Sequence, residues 1–205
     1  MTRGVNTNRQ AGDSMKTRQY GFTMIELIVV IVILGILAAV ALPRFTDMQG
    51  DARSAKLNAA RGAVQAASSM IHGTVLVRGG VADTGGCAGA ATNATNTVTA
   101  AGTVCTENGL VNIINGYPTA DALGIVNAAG LTSTFFPAGT TIAQANTALA
   151  QEGYTIADGG TAVDSVLTIG VVGAATPADC QFTYRPSTTA TGGAAVISAA
   201  VTTGC

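Results

Sequence analysis

Residues 22–42 form an apolar run of twenty-one residues in which Glu26 is the only side chain that ionises. At about 1.5 Å per helical residue the run reaches roughly 31 Å, the thickness of a bilayer core. A carboxylate inside such a segment costs about 2.5–3.5 kcal/mol at its centre and less near an interface, so it requires a partner or a purpose. One partner is latent in the chain itself. A cut between Gly21 and Phe22 creates an α-amino group four residues from Glu26. Cation and anion then lie at the same edge of the membrane, able to pair within or between chains.

Charge around this run is uneven. Residues 1–21 carry Arg3, Arg9, Lys16 and Arg18 against Asp13 alone. A basic segment ahead of an apolar span reads as cytoplasmic, so the remainder of the chain is expected to face outward. Without residues 1–21, six Lys and Arg remain against ten Asp and Glu, a net charge of −4. With 10% charged residues, 48% hydrophobic residues and no basic stripe, the 205-residue chain is neither a disordered charged tail nor a nucleic-acid binder. Met15 offers an internal start that would give the compact leader 15–21.

Four cysteines, Cys87, Cys105, Cys180 and Cys205, make an even set in the outward-facing part. Four cysteines allow three connectivities, and local pairing of Cys87 with Cys105 and Cys180 with Cys205 closes the shortest loops. An oxidising compartment suits them better than a metal site. There is no Cys-x-x-Cys, and the lone His72 falls on a predicted helix.

Beyond the apolar run, Pro43 removes a backbone donor and Gly35 adds a second weak point, so both are candidate kinks. Phe45, Met48, Ala52, Ala55, Ala59, Ala63, Ala66 and Met70 then recur at helical steps, with Asp47, Asp51, Arg53, Lys56 and Arg61 on other faces. The pattern predicts an amphipathic helix with an alanine-rich packing stripe to about Val77, stopped by Gly79-Gly80. Residues 83–108 read as a loop. A strand is expected at 110–114, followed by the turn Asn115-Gly116-Tyr117-Pro118. Thr119 is expected to cap a short helix to about Ala129, and Thr140 or Thr141 a second over 141–151. Strands follow at 154–157, 165–172, 180–184 and 195–201. Successive strands with short connections imply an antiparallel sheet covered on one face by the long helix, an α+β fold.

Gly21-Phe22-Thr23-Met24-Ile25-Glu26-Leu27 and the apolar run to Pro43 resemble the leader junction and N-terminal helix of type IV prepilins. The match covers about a quarter of the chain. Gln49-Gly50-Asp51-Ala52-Arg53, Gly116-Tyr117-Pro118, Cys180-Gln181-Phe182-Thr183-Tyr184 and the final Gly204-Cys205 are similar to pilins of the mannose-sensitive haemagglutinin type. The resemblance implies a pilin fold and four regions: a cytoplasmic leader at 1–21 that is removed, an assembly half-helix at 22–43, an amphipathic half-helix at 44–78 and a disulfide-bearing head at 79–205. It implies cleavage by a prepilin peptidase between Gly21 and Phe22, N-methylation of Phe22, and pairing of Glu26 with the amine of a neighbouring subunit. Gly35 and Pro43 match positions where such helices loosen in filaments. Met24 replaces the usual Leu, a swap that keeps volume. The implied partners are other copies of the chain, the peptidase, the assembly machinery and inner-membrane lipid. The implied course runs from inner-membrane precursor to extracellular adhesive filament, with no cofactor, metal or catalysis.

Two other readings share these residues. A pseudopilin of a type II secretion system would be processed identically, but the large, Thr-rich, disulfide-bearing domain suits exposure outside the cell. A secreted binding domain released after Ala41 would use Lys16, Arg18 and Ala39-Val40-Ala41 as a signal peptide. The length of the apolar run, its carboxylate and the amphipathic helix that follows it count against that. Among other sites, Asp158 and Asp164 flank a Gly-rich turn without calcium-loop spacing. His72 reads as a packing residue.

Overall fold

A computed structural model describes residues 21–205 apart from 89, 91 and 190–192. The chain divides into two compact units, one ending at Arg44 and the other comprising Phe45–Cys205. Helix α1, Met24–Arg78, contributes to both.

In the first unit α1 is apolar on every face. Each side chain from Phe22 to Val40 is exposed. The helix is long and apolar enough to cross a membrane.

In the second unit α1 supplies one wall of the core. Leu57, Ala60, Val64, Ala67, Ile71 and Val75 are all at most 7% exposed and recur at steps of three and four. This differs from the stripe expected at Ala55, Ala59, Ala66 and Met70, which faces outward; Met48 and Met70 are 64% and 71% exposed. Alanine is common on several faces of this helix, so periodicity alone does not choose among them. Leu57, Val64, Ile71 and Val75 decide the matter. Burying one such side chain is worth about 1.5–3 kcal/mol, well beyond what an alanine methyl returns. Gly79 and Gly80, at φ +60° and +76°, end the helix in the left-handed region.

Two antiparallel sheets pack on this face, where one was expected. The first joins β1 (Ala101–Thr106), β2 (Gly109–Ile114) and β3 (Tyr117–Pro118) in that order. Its presence corrects the loop assigned to 83–108, because β1 pairs along its whole length with β2, Ala101 opposite Ile114. Only Val104 of β1 is buried, so the strand carries almost no hydrophobic alternation. Tyr117-Pro118 is likewise strand rather than turn. The turn itself is Asn115-Gly116, at φ +50° and +75°, a two-residue hairpin of the kind that Asn-Gly favours.

A five-residue π-helical turn, Ala122–Val126, runs into the short α2, Asn127–Ala129. Its cap is Asp121, not Thr119: Gly124 donates its N–H to Asp121 Oδ1 at 2.6 Å, and the Thr119 hydroxyl donates to the same oxygen at 2.8 Å. Helix α3, Ile142–Gln151, starts at Thr141 with a reciprocal capping box to Gln144.

The second sheet orders β4 (Tyr154–Asp158), β5 (Leu167–Val171), β6 (Gln181–Arg185) and β7 (Val196–Ile197). Strand β7 is shorter than the expected 195–201; beyond it the pairing with β6 continues through Ser198 N–H donating to Thr183 O at 3.0 Å and a bridge from Val201 to Gln181. Leu167, Ile169, Phe182 and Tyr184 meet Leu57 and Val64 in the larger core cluster, while Val104, Val111 and Ile113 meet Ile71 and Val75 in the smaller.

Side chains and one isolated backbone bridge, Ala120 with Gly160, tie the two sheets together in place of a strand ladder. Tyr184 donates its hydroxyl to Pro118 O at 2.8 Å, and Asn115 donates to Ser187 O at 2.9 Å. Burial pushes the Tyr184 phenol well above its usual value. The disulfides are Cys87–Cys105, attached to the first sheet, and Cys180–Cys205, attached to the second.

Candidate functional site

Gly21, Phe22 and Thr23 precede the first helical residue, Met24, and are exposed. The Gly21–Phe22 bond therefore lies in non-helical backbone open to solvent. Helical bonding begins with Leu27 N–H donating to Thr23 O at 3.3 Å. Thr23 and Glu26 then satisfy each other. Glu26 N–H donates to Thr23 Oγ1 at 3.3 Å, while the Thr23 N–H and hydroxyl both donate to Glu26 Oε2 at 2.9 Å.

This is a capping box at the start of an apolar helix. Glu26 thus has a local role beside the pairing considered above: it neutralises orphan donors of the first turn and lies at the positive end of the helix dipole. Thr-x-x-Glu ahead of an apolar run is itself a sequence signature of a helix start, and it is the signal by which Thr23 could have been singled out.

Gly35 and Pro43 both lie within α1. A Cβ at Gly35 would meet nothing within 4 Å, so packing inside the chain does not demand a glycine there. The basic residues of the leader, Arg3, Arg9, Lys16 and Arg18, and the alternative start Met15 lie outside the described residues.

The remaining candidates fall elsewhere in the second unit. Cys87 and Cys105 are bonded with Cα atoms 5.6 Å apart, Cys180 and Cys205 with Cα atoms 4.8 Å apart. His72 stacks on Tyr117 with ring centroids 4.0 Å apart and its Nδ1 lies 3.1 Å from Gly116 O, a packing position. Asp158 accepts from the Thr168 hydroxyl at 3.5 Å. No group of three or more His, Cys, Asp or Glu is placed to share a metal ion among the described residues. Asp121 is half-buried; desolvation raises its carboxyl above its ordinary range, against the opposing pull of the Thr119 and Gly124 hydrogen bonds.

Residues 16–42 match the family described as the prokaryotic N-terminal methylation motif. The chain is also similar to the type IV narrow pilus major component PilA5 of Thermus thermophilus, 47% identical over 62 residues, which is 30% of this chain and 52% of that protein. It is similar to the type IV major pilin protein PilE1 of Neisseria gonorrhoeae, 67% identical over 33 residues, 16% of this chain and 20% of that one. A fimbrial protein of Neisseria meningitidis serogroup B is 67% identical over 33 residues, 16% of this chain and 19% of its own length. The chain therefore spans 52% of the first relative and a fifth or less of the two Neisseria proteins. No solved structure matches it significantly. Motif and relatives together support a type IV prepilin.

Proposed function

We propose that this chain is the precursor of a structural subunit of a type IV pilus. The reading rests most heavily on one arrangement: an exposed Gly21–Phe22 junction leading into an apolar helix whose one carboxylate stands four residues after Phe22. Cleavage there by a prepilin peptidase would remove residues 1–21 and free the Phe22 amine for methylation. Residues 22–43 would wait in the inner membrane and then leave it for a bundle of copies, with 44–78 and 79–205 as the amphipathic half-helix and the head.

The matching ends of the pair explain why assembly is directional. Glu26 of one copy and the Phe22 amine of the next attract strongly in an apolar bundle and are costly if left single. A contact that joins two different surfaces of the same chain repeats without closing, which produces a filament. Loosening of the helix at Gly35 and Pro43 would let neighbouring copies adjust inside that bundle. The finer assignment, an adhesive filament like those of the mannose-sensitive haemagglutinin type, is supported by the short resemblances in the head and by its two disulfides.

The mass and first residue of the mature chain test the processing step. A methylated Phe22 is expected; a chain beginning at Leu42 overturns the reading in favour of a secreted domain. Electron microscopy of sheared surface filaments, with and without the gene, tests the assembly step, and a methylated chain with no filaments would point to a pseudopilin. Glu26→Ala is expected to leave processing intact while cutting filament yield at least about tenfold, the worth of one charged contact. Undiminished yield would remove the charge-pairing argument.

A further inference from the structure

Between α1 and the start of β7 the second unit holds a cavity of about 260 Å³. That is below the roughly 300 Å³ at which pockets for drug-sized molecules begin. Arg61, Gln65, Ser68, Ser69 and Tyr117 form its polar lining, and Ala194, Ala195 and Ile197 add an apolar wall. Arg61 is half-buried and held from one side, its Nε donating to Ser198 O at 2.7 Å. Its Nη1 and Nη2 donate to nothing among the described residues, and α1 carries no Asp or Glu between Leu57 and Val77. The other three cations of α1 in this unit behave differently. Arg53 donates from a terminal nitrogen to Cys205 O, Lys56 to Glu152 O and Arg78 to Asp83.

We propose that this cavity binds one carboxylated sugar residue, a hexuronate unit, with Arg61 as its charge anchor. A planar guanidinium presents Nη1 and Nη2 as parallel donors, a fork that suits a carboxylate. Because Nε is already held, little side-chain freedom is lost when the anion arrives. Hydroxyls need groups that both donate and accept. The Gln65 amide and the Tyr117 phenol are of that kind, and neither makes a hydrogen bond among the described residues. The Tyr117 ring is fixed by its stack on His72, at 4.0 Å between centroids. Ser69 donates its hydroxyl to Gln65 O at 3.0 Å, which leaves its oxygen able to accept.

The alanines and Ile197 suit the C–H face of a sugar ring. A phosphate or sulfate would use the guanidinium and leave the amide, the phenol and the apolar wall unmatched. A neutral sugar would leave the charge unmatched. The cavity lies outside residues 22–43, so the inference does not depend on how the chain assembles.

The experiment titrates the isotope-labelled full-length chain, in detergent micelles, and follows NMR shifts of the Gln65 side-chain amide and the Arg61 Nε–H. The probes are galacturonate and glucuronate, their methyl esters, and inorganic phosphate. Saturable shifts at both groups are expected with at least one of the two acids. Its binding should be at least about tenfold tighter than that of its ester, as loss of one hydrogen-bonded charge implies. Tyr117→Phe keeps the ring stack, and Gln65→Ala removes no internal bond. Each is expected to weaken binding by about threefold to tenfold, the range for one neutral hydrogen bond, with thermal unfolding unchanged. Arg61→Gln is expected to abolish the preference for acid over ester; the first two variants decide the matter if this one fails to fold. Saturation by neither acid, equal binding of acid and ester, phosphate binding as tight as the better acid, or unaltered affinity in both Tyr117→Phe and Gln65→Ala each overturns the proposal.

Discussion

At the scale of single residues, this fold leans on asparagine and aspartate side chains that take the place of backbone. Asn96, fully buried at φ +50°, receives an Arg78 guanidinium N–H at 3.1 Å and donates to Val81 O and Asp83 Oδ1, each at 2.8 Å. Arg78 and Asp83 close the cluster with an ion pair at 3.0 Å. The end of α1 is thereby tied to the segment that leads to Cys87. Asp121 makes a comparable local closure, and it carries a sign that can be tested. Burial raises its folded pKa above the ordinary 3.8, so the folded chain holds the proton more tightly than the unfolded chain. Its contribution to stability is complete below that ordinary value and is lost as pH rises through the raised one. Asp121→Asn keeps an acceptor for Gly124 N–H without the titration. Thermal unfolding followed from about pH 3 to about pH 7 should show the unaltered chain losing stability relative to the variant on the alkaline side. Parallel curves would refute this assignment. None of these side-chain roles is visible in composition, where Asn, Asp and Thr simply read as loop.

At the scale of elements, the informative cases are those where pattern and structure part. Helix α1 ends where Gly79-Gly80 indicates, and α3 begins at the Thr141 that its capping box requires. Its packing face was hidden because apolar residues occur on more than one side of an alanine-rich helix. Size, not period, selects Leu57, Val64, Ile71 and Val75. Strand β1 was hidden for the opposite reason: Ala-Gly-Thr-Val-Cys-Thr has no alternation to read, and its strand character comes from pairing with β2 and from the Cys87–Cys105 link. Strand β4 is the edge of its sheet and is closed by a side chain. Asn146 on α3 accepts from Ile156 N–H at 2.7 Å and donates to Ile156 O at 2.8 Å, standing in for a neighbouring strand. Asn127 does the same for Phe136, at 2.9 and 3.0 Å. Replacing Asn146 by Leu strips both partners from Ile156 and should cost about 2–3 kcal/mol in denaturant unfolding, with β4 amides exchanging faster. An unchanged midpoint would show that water replaces the amide at no cost.

For the whole molecule, the apolar N-terminal segment was legible because its constraints are few and hard: an apolar length that matches a bilayer and a lone carboxylate four residues after a Gly-Phe bond. The α+β class followed from one long helix and a succession of short strands. The division into two sheets did not, since it depends on Tyr184, Pro118, Asn115 and Ser187 meeting across residues far apart in the chain. Each sheet instead carries its own covalent clasp. Changing Cys180 and Cys205 together to Ser should lower the unfolding free energy of the second unit by about 3 kcal/mol, the loop-closure value for a sequence separation of 25. Urea unfolding with and without the pair measures it, and a shift below about 1 kcal/mol would mean that the core already restrains that segment.

The two disulfides also have an order. Cys87 bonds to the next cysteine in the chain, Cys105, and Cys180 to the next after that, Cys205, at separations of 18 and 25 residues. On a route that delivers the chain N-terminus first, the first thiol to emerge meets its native partner before any competitor exists. Where the earlier pair closes before Cys180 arrives, its sulfurs are unavailable for mispairing. Correct oxidation then follows from the timetable of emergence, and no reshuffling step is needed to reach it.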